Sequence, residues 1–466
     1  MTGPRRSVVK TIQIFFEQCR IHFRVTTETS TALPTEPIPV LLERPRWRDT
    51  FDSLRVFNYR LYVISQVLSN TSGWMQKIAT DWLVNELTHN VTLVGVTVFL
   101  QFAPVLVFGV WGGVIADRVD KRRLMMVTQT TTALLCALLG ALTIAGIVEV
   151  WQVWGVAFLF GMVAVVEGPA RSAFVNEMVG HRRLRNAISL NASIFHLGGL
   201  LGPAISGVLI VLVGSGWSIS VNAVAAMVVV VTLGCMRVRE LLPSPRAIRS
   251  KGQIREGVKY VIGKPTIFWP MVMLAFVSTF GMTLPVLLVA FADSVYQTGA
   301  AGYGLYSSAA AVGALTGAVL STRRMNVRLR TIMFAAGLFG LALILAGNAP
   351  WEPLFLVFLV SIGVTRLLFA TGAESIVQLS TNRAIRGRVM SLYSMVMLGG
   401  QALGSPISGA IADRFGVQAA MTVAGIVPAL AAIVIAIVLA RSGKLSLRIR
   451  LKRMHPLVSI VSGGTR

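Results

Sequence analysis

The sequence predicts an all-α membrane protein with about twelve transmembrane helices in two six-helix bundles and both termini cytoplasmic. Three observations predict it: a composition suited to lipid, apolar runs long enough to cross a bilayer, and basic residues placed in alternate connections. The chain has 466 residues, 54% hydrophobic and 13% charged, with a mean hydropathy of +0.71. A soluble core of this size breaks its apolar content into amphipathic stretches. Here near-continuous apolar runs of roughly 18 to 25 residues recur, the length a helix needs to span hydrocarbon.

In order, the runs fall near residues 57–83, 94–115, 124–148, 154–174, 190–213, 219–236, 268–292, 304–320, 332–346, 354–373, 389–412 and 417–439. A formal charge of +24 raises the question of nucleic acid, but the basic residues form no single patch. Arg118, Lys121, Arg122 and Arg123 follow the second run; Arg182, Arg183 and Arg185 follow the fourth. The stretch from Arg237 to Lys264 follows the sixth, Arg323, Arg324, Arg328 and Arg330 the eighth, Arg383, Arg386 and Arg388 the tenth, and the tail from Arg441 the twelfth. The opposite connections hold almost no Lys or Arg, with Arg414 the exception. That asymmetry places the basic connections and both termini in the cytoplasm and argues against a nucleic-acid partner.

The expected organisation is a cytoplasmic tail at 1–53, a six-helix bundle at 54–236, a basic linker at 237–265, a second bundle at 266–440 and a basic tail at 441–466. Residues 1–50 lack the apolar core and small-residue cleavage site of a signal peptide. Within them Val8–Phe23 mixes apolar and basic residues, as an interfacial helix or a loosely ordered tail does. In the linker, Lys251 to Lys259 suits a short surface helix. Cys19, Cys136 and Cys235 have no metal-ligand or disulfide spacing and read as small packing residues. The halves echo each other: Gly202 and Gly207 in the fifth run recur as Gly404 and Gly409 in the eleventh, an offset of 202 residues. Duplicated bundles with a substrate path between them are a common transporter plan.

The loop after the second run reads Gly113-Val-Ile-Ala-Asp117-Arg118-Val-Asp120-Lys121-Arg122-Arg123. It resembles the signature of the major facilitator superfamily, departing from it in Asp120, where Gly is usual, and Lys121, where Arg is usual. Trp82-Leu-Val-Asn-Glu-Leu-Thr88 and Gly168-Pro-Ala-Arg171 resemble the branch with enterobactin and macrolide exporters, and the likeness covers roughly residues 55–440. The resemblance implies secondary transport, with Gly113, Asp117, Arg118, Lys121 and Arg122 as a cytoplasmic latch and Asp117 facing the start of helix eleven near Gly387 and Arg388. The bare alternative is a stop-transfer anchor that fixes topology. Gly198, Gly202, Pro203 and Gly207, with Ser206, resemble the superfamily's antiporter motif. Physically, the glycines permit close backbone approach and the proline bends the helix, so helix packing alone is the competing explanation.

Ionisable residues inside apolar runs are costly and invite a role. Lys77 with Asp81, and Glu167 with Arg171, lie four residues apart, so each pair can neutralise itself along one helix face; coupling or gating is the functional alternative. Arg366 and Glu374 lie two turns apart in the tenth run, and Arg171 and Glu374 occupy near-equivalent places in the two halves, which suggests an inner gate. His196 stands alone in the fifth run and reads as a packing residue. By depth, Trp74, Gln76, Gln101 and Phe102 are candidate pocket residues or lipid-facing ones.

No phosphate loop, zinc motif or nucleophile elbow is present, so the expectation is a non-enzyme with no cofactor or metal, driven by an ion gradient. The expected partners are a small-molecule substrate, protons and the lipid bilayer, the expected state is a monomer, and the expected location is a bacterial inner or plasma membrane. The resemblance implies a proton-coupled antiporter exporting a small hydrophobic or amphiphilic compound such as a drug, macrolide or siderophore. The alternatives are an importer or facilitator of a small metabolite and a non-transport membrane scaffold.

Overall fold

The computed structural model describes residues 52–242, 253–322, 329–382, 385–442, 445–449 and 458–462. The N-terminal tail up to residue 51, with Val8–Phe23 and Cys19, lies outside them, as do Lys251, Arg324 and Arg383. Twelve long helical segments follow one another: α1 Phe57–Thr88, α2 Val91–Arg118, α3 Lys121–Ile144, α4 Val150–Gly180, α5 Asn186–Val213 and α6 Ser215–Gly234, then α7 Pro265–Val295, α8 Gly299–Thr322, α9 Leu329–Gly347, α10 Glu352–Ser380, α11 Arg386–Phe415 and α12 Val417–Ser442.

Eleven of these, all but α1, are long and apolar enough to cross a membrane, where the sequence predicts about twelve spans. The difference lies in α1, whose 32 residues carry Arg60, Lys77, Asp81 and Glu86 and bury Asn58, Gln66, Gln76, Thr80 and Asn85. Its polar side chains meet neighbouring helices, so its composition records burial in protein more than contact with lipid. Outside the helices, Leu445–Ile449 and Val458–Ser462 pair as a short antiparallel ladder.

Local chemistry sets the ends. Asn90 caps α2 by accepting from the Leu93 N–H at 3.1 Å, and Asp120 caps α3 by accepting from that of Arg123 at 2.8 Å, each satisfying an amide the helix cannot. Thus Asp120, the departure from the family pattern, has a local function. Single residues with positive φ join successive helices where no L side chain fits easily: Gly214 (φ 91) between α5 and α6 and Gly416 (φ 89) between α11 and α12. These connections mark one end of the molecule, called the turn end below; the basic connections mark the other. At the basic end Gly180 (φ 67) separates α4 from α5. The linker helix, Gln253–Ile262, runs close to the expected 251–259. It packs its Gly257 against Leu392 of α11, beside a Glu256–Arg388 ion pair.

Helices α1 to α6 pack mainly among themselves, as do α7 to α12, and the pairing repeats: α2 on α4 as α8 on α10, and α3 on α6 as α9 on α12. Between the two sets the large contacts are α2 with α11 and α5 with α8, which exchange under the same repeat. Span α7 is interrupted by π-helical turns at Val277–Gly281 and Phe291–Val295, a distortion that loosens the backbone ladder.

Candidate transport site

Small residues build both the close packing inside each half and the seam between the halves. On α5, a β-carbon added to Gly202 would lie 2.6 Å from Trp74 Cβ and 2.7 Å from the Thr71 carbonyl of α1. One on Gly207 would lie 2.9 Å from the Ala300 carbonyl of α8. On α11 the positions 202 residues later behave alike. Gly404 abuts the Thr279 carbonyl of α7, and a β-carbon on Gly409 would lie 2.6 Å from the Val91 carbonyl of α2. Gly207 and Gly409 therefore lie in a two-fold-related seam between the halves, while Gly202 and Gly404 pack within their own halves on α1 and α7; in both places backbones touch, which van der Waals packing favours inside a membrane. Gly198 packs on Asn70, and the Pro203 carbonyl faces Gly304. Buried hydroxyls tie the same helices within each half: Ser206 donates to the Met75 carbonyl of α1 at 3.0 Å, and Thr283 of α7 and Ser408 of α11 share a hydrogen bond of 2.9 Å.

The cross-half contacts concentrate toward the turn end. Ser308 of α8 donates to the Leu200 carbonyl at 3.0 Å, and Tyr303 of α8 donates to the Asp81 carboxylate of α1 at 3.1 Å. Tyr303 also stacks on Trp82, with ring centroids 6.5 Å apart. At the tip, Asp413 of α11 accepts from the backbone N–H groups of Val91 (3.0 Å) and Thr92 (2.8 Å) and from the Thr92 hydroxyl (2.5 Å). A carboxylate there meets the positive end of α2 and its unsatisfied amides. Beside it, Asn85, His89, Asp293, Asn348 and Gln418 line a cavity of 1020 Å³.

The expected Lys77–Asp81 ion pair is not formed. Lys77 Nζ instead sits 4.9 Å from the ring centroid of Trp74, one turn back on α1 and away from the carboxylate. Asp81 takes its donor from Tyr303, and its second oxygen is buried without a hydrogen-bond partner. The Glu167–Arg171 pair is formed, and Gln129 of α3 donates to the same Glu167 oxygen at 2.8 Å. Arg171 and Glu374 are not brought together: Glu374 is exposed and accepts from Gln378, one turn along its own helix, at 3.0 Å. Nor does Arg366 form an ion pair with Glu374 among the described residues.

Of the expected latch, Gly113 is buried, Arg118 is exposed, and the side chain of Asp117 lies outside the described residues. Lys121 pairs with Glu177 of α4 at 3.2 Å. Arg122 donates to the Leu233 and Gly234 carbonyls at 2.7 and 3.0 Å, capping α6. Both side chains thus bind within the first half. Arg388 is engaged by Glu256, and a β-carbon on Gly387 would meet nothing within 4 Å. Among the pocket candidates, Trp74 packs on Phe195 with centroids 5.5 Å apart. Gln76 is buried and donates to Thr80 at 3.1 Å, Gln101 presents its carbonyl to Gly161, and Phe102 is partly buried against the core.

Two-fold-related helix sets, closed on each other at one end through glycine seams and crossed by a buried carboxylate, define a multi-pass membrane transporter of the major facilitator superfamily. Residues 49–461 match the family described as transmembrane secretion effector, and the chain belongs to that family. It is 23% identical over 377 residues to the staphyloferrin A transporter of Staphylococcus aureus (strain NCTC 8325 / PS 47), covering 79% of this chain and 92% of that one. It is 25% identical over 364 residues to the enterobactin exporter EntS of Escherichia coli O1:K1 / APEC, covering 76% and 85%. Solved structures share the fold. The nucleoside transporter NupG superposes with a TM-score of 0.64 at 13% identity, covering 82% of this chain and 98% of that one. The D-xylose–proton symporter gives 0.64 at 13%, covering 80% and 96%. The protein is thus a transporter of the bacterial cell membrane that binds a small-molecule substrate, and it is not an enzyme.

Two features escaped the sequence reading. Tyr303 lies in a glycine- and alanine-rich run, and its partner is 222 residues away, so no local pattern marks it. Asp413 had a signal: Gly409-Ala-Ile-Ala-Asp413-Arg414-Phe-Gly416 repeats the Gly113 loop pattern and keeps the glycine that loop lacks.

Proposed function

We propose that this protein is a proton-coupled exporter of the siderophore-exporting branch, moving an amphiphilic compound out of the cell by alternating access. The observation that carries the mechanism is the seam: the cross-half contacts of Asp413, Gly409, Gly207, Tyr303 and Ser308 lie toward the turn end. The gate candidates Arg171 and Glu374 at the basic end stay apart. With the basic connections cytoplasmic, this is an inward-facing state ready to load from inside. Residues 54–236 and 266–440 act as the two rocking bundles, and the linker helix rides on the second through Arg388.

Asp81 is the carboxylate best placed to couple protons. It lies at the seam, and its unpartnered oxygen gives a proton a place to sit. Opening the turn end separates α8 from α1 and removes the Tyr303 hydrogen bond, so the environment of Asp81 changes with the conformational cycle. Glu167 and Arg171 neutralise each other near the inner mouth and rearrange when that mouth closes.

The likeness to the enterobactin exporter supports the direction, and the glycine and proline spacing of α5 supports antiport. The test is purified protein in proteoliposomes with an imposed pH gradient and a panel of catecholate siderophores, carboxylate siderophores and macrolides. Gradient-driven movement of at least one siderophore is expected. Movement of none of them, or movement of a substrate only down its own gradient, would remove the proposal in favour of a facilitator or a scaffold.

A further inference from the structure

The cavity of 1020 Å³ at the turn end is walled by both halves of the molecule. Asn85 and His89, at the end of α1, come from the first half; Asp293 of α7, Asn348, Asp413 of α11 and Gln418 of α12 come from the second. Its size suits a drug-sized molecule. The wall is acidic: Asp293 and Asp413 belong to it, and among the described residues no Lys or Arg does. Asp413 is committed in part to the first amides of α2. The half-buried Asp293 makes no hydrogen bond or ion pair among the described residues.

A second observation, independent of the carboxylates, points to an occupant. Asn85 is 2% exposed, and its Nδ2 is buried without a hydrogen-bond partner. An unmet buried donor costs stability, and on a cavity wall the missing acceptor is one that a bound molecule can bring. Asn348 spends its amide hydrogens on the Ile344 carbonyl at 2.8 Å and the Thr422 hydroxyl at 2.9 Å, so it offers a ligand only its oxygen. The wall thus combines negative charge and acceptors with one buried donor. No group of three His, Cys, Asp or Glu among the described residues could hold a metal ion, which leaves an organic cation as the match.

We infer that this cavity is a second ligand site on the outer face, that it takes a soluble amine carrying a carbonyl group, and that the occupant holds the turn end closed. The ammonium meets Asp293, and the carbonyl accepts from Asn85. A phosphate-bearing lipid head group would set its own anion against the two carboxylates, so the occupant is a soluble molecule and not a lipid. Because Asn85 lies in one half and Asp293 in the other, opening the turn end parts the two anchors. The amine therefore binds the closed form more tightly and shifts the population toward it. In an exporter it acts as an inhibitor from outside, at a site separate from Asp81. The sidedness and the inhibition rest on the reading of the turn end as the outer face; the binding does not.

The test begins with isothermal titration of detergent-purified full-length protein. The probe is procainamide, a tertiary amine with an amide carbonyl, compared with the isostere in which carbon replaces the amine nitrogen. Procainamide is expected to bind at least about tenfold more tightly. Asp293→Asn should weaken procainamide about tenfold and leave the isostere within about twofold, whereas Asn85→Ala should weaken both. Equal binding of the two, binding of neither, or an Asp293→Asn variant that keeps procainamide or loses both alike would overturn the site. A second arm reads conformation in intact cells carrying Ser405→Cys, a position in the seam against Gly95. Procainamide added outside should slow its labelling by an impermeant maleimide about threefold, and Asp293→Asn should remove the protection. Unchanged or faster labelling at saturating amine would overturn the hold on the turn end. Amine-selective binding by a protein that moves no siderophore would keep the site and discard the export proposal.

Discussion

Asp413 accepts hydrogen bonds from both the backbone amide and the hydroxyl of Thr92, at 2.8 and 2.5 Å, and so ties the last turn of α11 to the first turn of α2. The carboxylate acts as a helix cap supplied from the other half of the molecule. It is a contact that exists only while the turn end is closed, and its loss shifts the conformational balance without touching the interior of either bundle.

Asp413→Asn should therefore favour the outward-open state. An exposed charge at a helix N-terminus contributes about 1 kcal/mol, equivalent to about a fivefold change in the ratio of states. A cysteine at Ser405, which lies in the seam against Gly95, should react faster with an impermeant maleimide from outside when Asp413 is replaced. An unchanged rate would show that the cap does not help hold the turn end shut.

Bulk on the seam glycines should do the same more strongly. At Gly207 and Gly409 the obstacles are backbone atoms of α8 and α2, which cannot yield as a flexible side chain can. Gly207→Val and Gly409→Val are expected to insert normally and to lose at least tenfold in transport rate, with external labelling at Ser405→Cys increased. Near-normal transport in both would mean that the seam does not close tightly in the working cycle.

Asp81→Asn should preserve substrate exchange across the membrane and abolish accumulation driven by a proton gradient. Tyr303→Phe removes the donor and leaves the carboxylate, so it should retain coupling while weakening closure of the turn end, by about 1 kcal/mol. The comparison is made on equal amounts of reconstituted protein. Gradient-driven accumulation by Asp81→Asn would exclude this carboxylate from coupling and leave Glu167 and Glu374 to examine.

Much of the fold was legible because the bilayer restricts spanning structure to helices and fixes their length. The runs near 94–115 and 219–236 foretold α2 and α6 to within a few residues, and the echo of Gly207 in Gly409 foretold the two-fold seam. Side-chain partners were less legible. Lys77 and Asp81 share a helix face at a spacing that suits a pair, yet Trp74, one turn back on α1, takes Lys77 and Tyr303 of the other half takes Asp81, and the second competitor is one that spacing along one helix cannot reveal.

Arg171 and Glu374 lie apart here, each bound to a residue of its own helix, and are expected to meet when the basic end closes. Single replacements, Arg171→Glu and Glu374→Arg, should each slow export by an order of magnitude through like-charge repulsion in a closing gate. The double exchange should recover a substantial part of the rate. A double variant no better than the worse single one would rule out the pairing and leave Arg171 as a local partner of Glu167.

The most direct measurement of coupled export is proton movement driven by substrate. Proteoliposomes are loaded with a pH-sensitive dye, held without an initial pH gradient and given a transported siderophore on one side. An antiporter predicts proton flow opposite to the substrate, abolished in Asp81→Asn. Substrate flux with no accompanying pH change, or with protons moving in the same direction as the substrate, would contradict it.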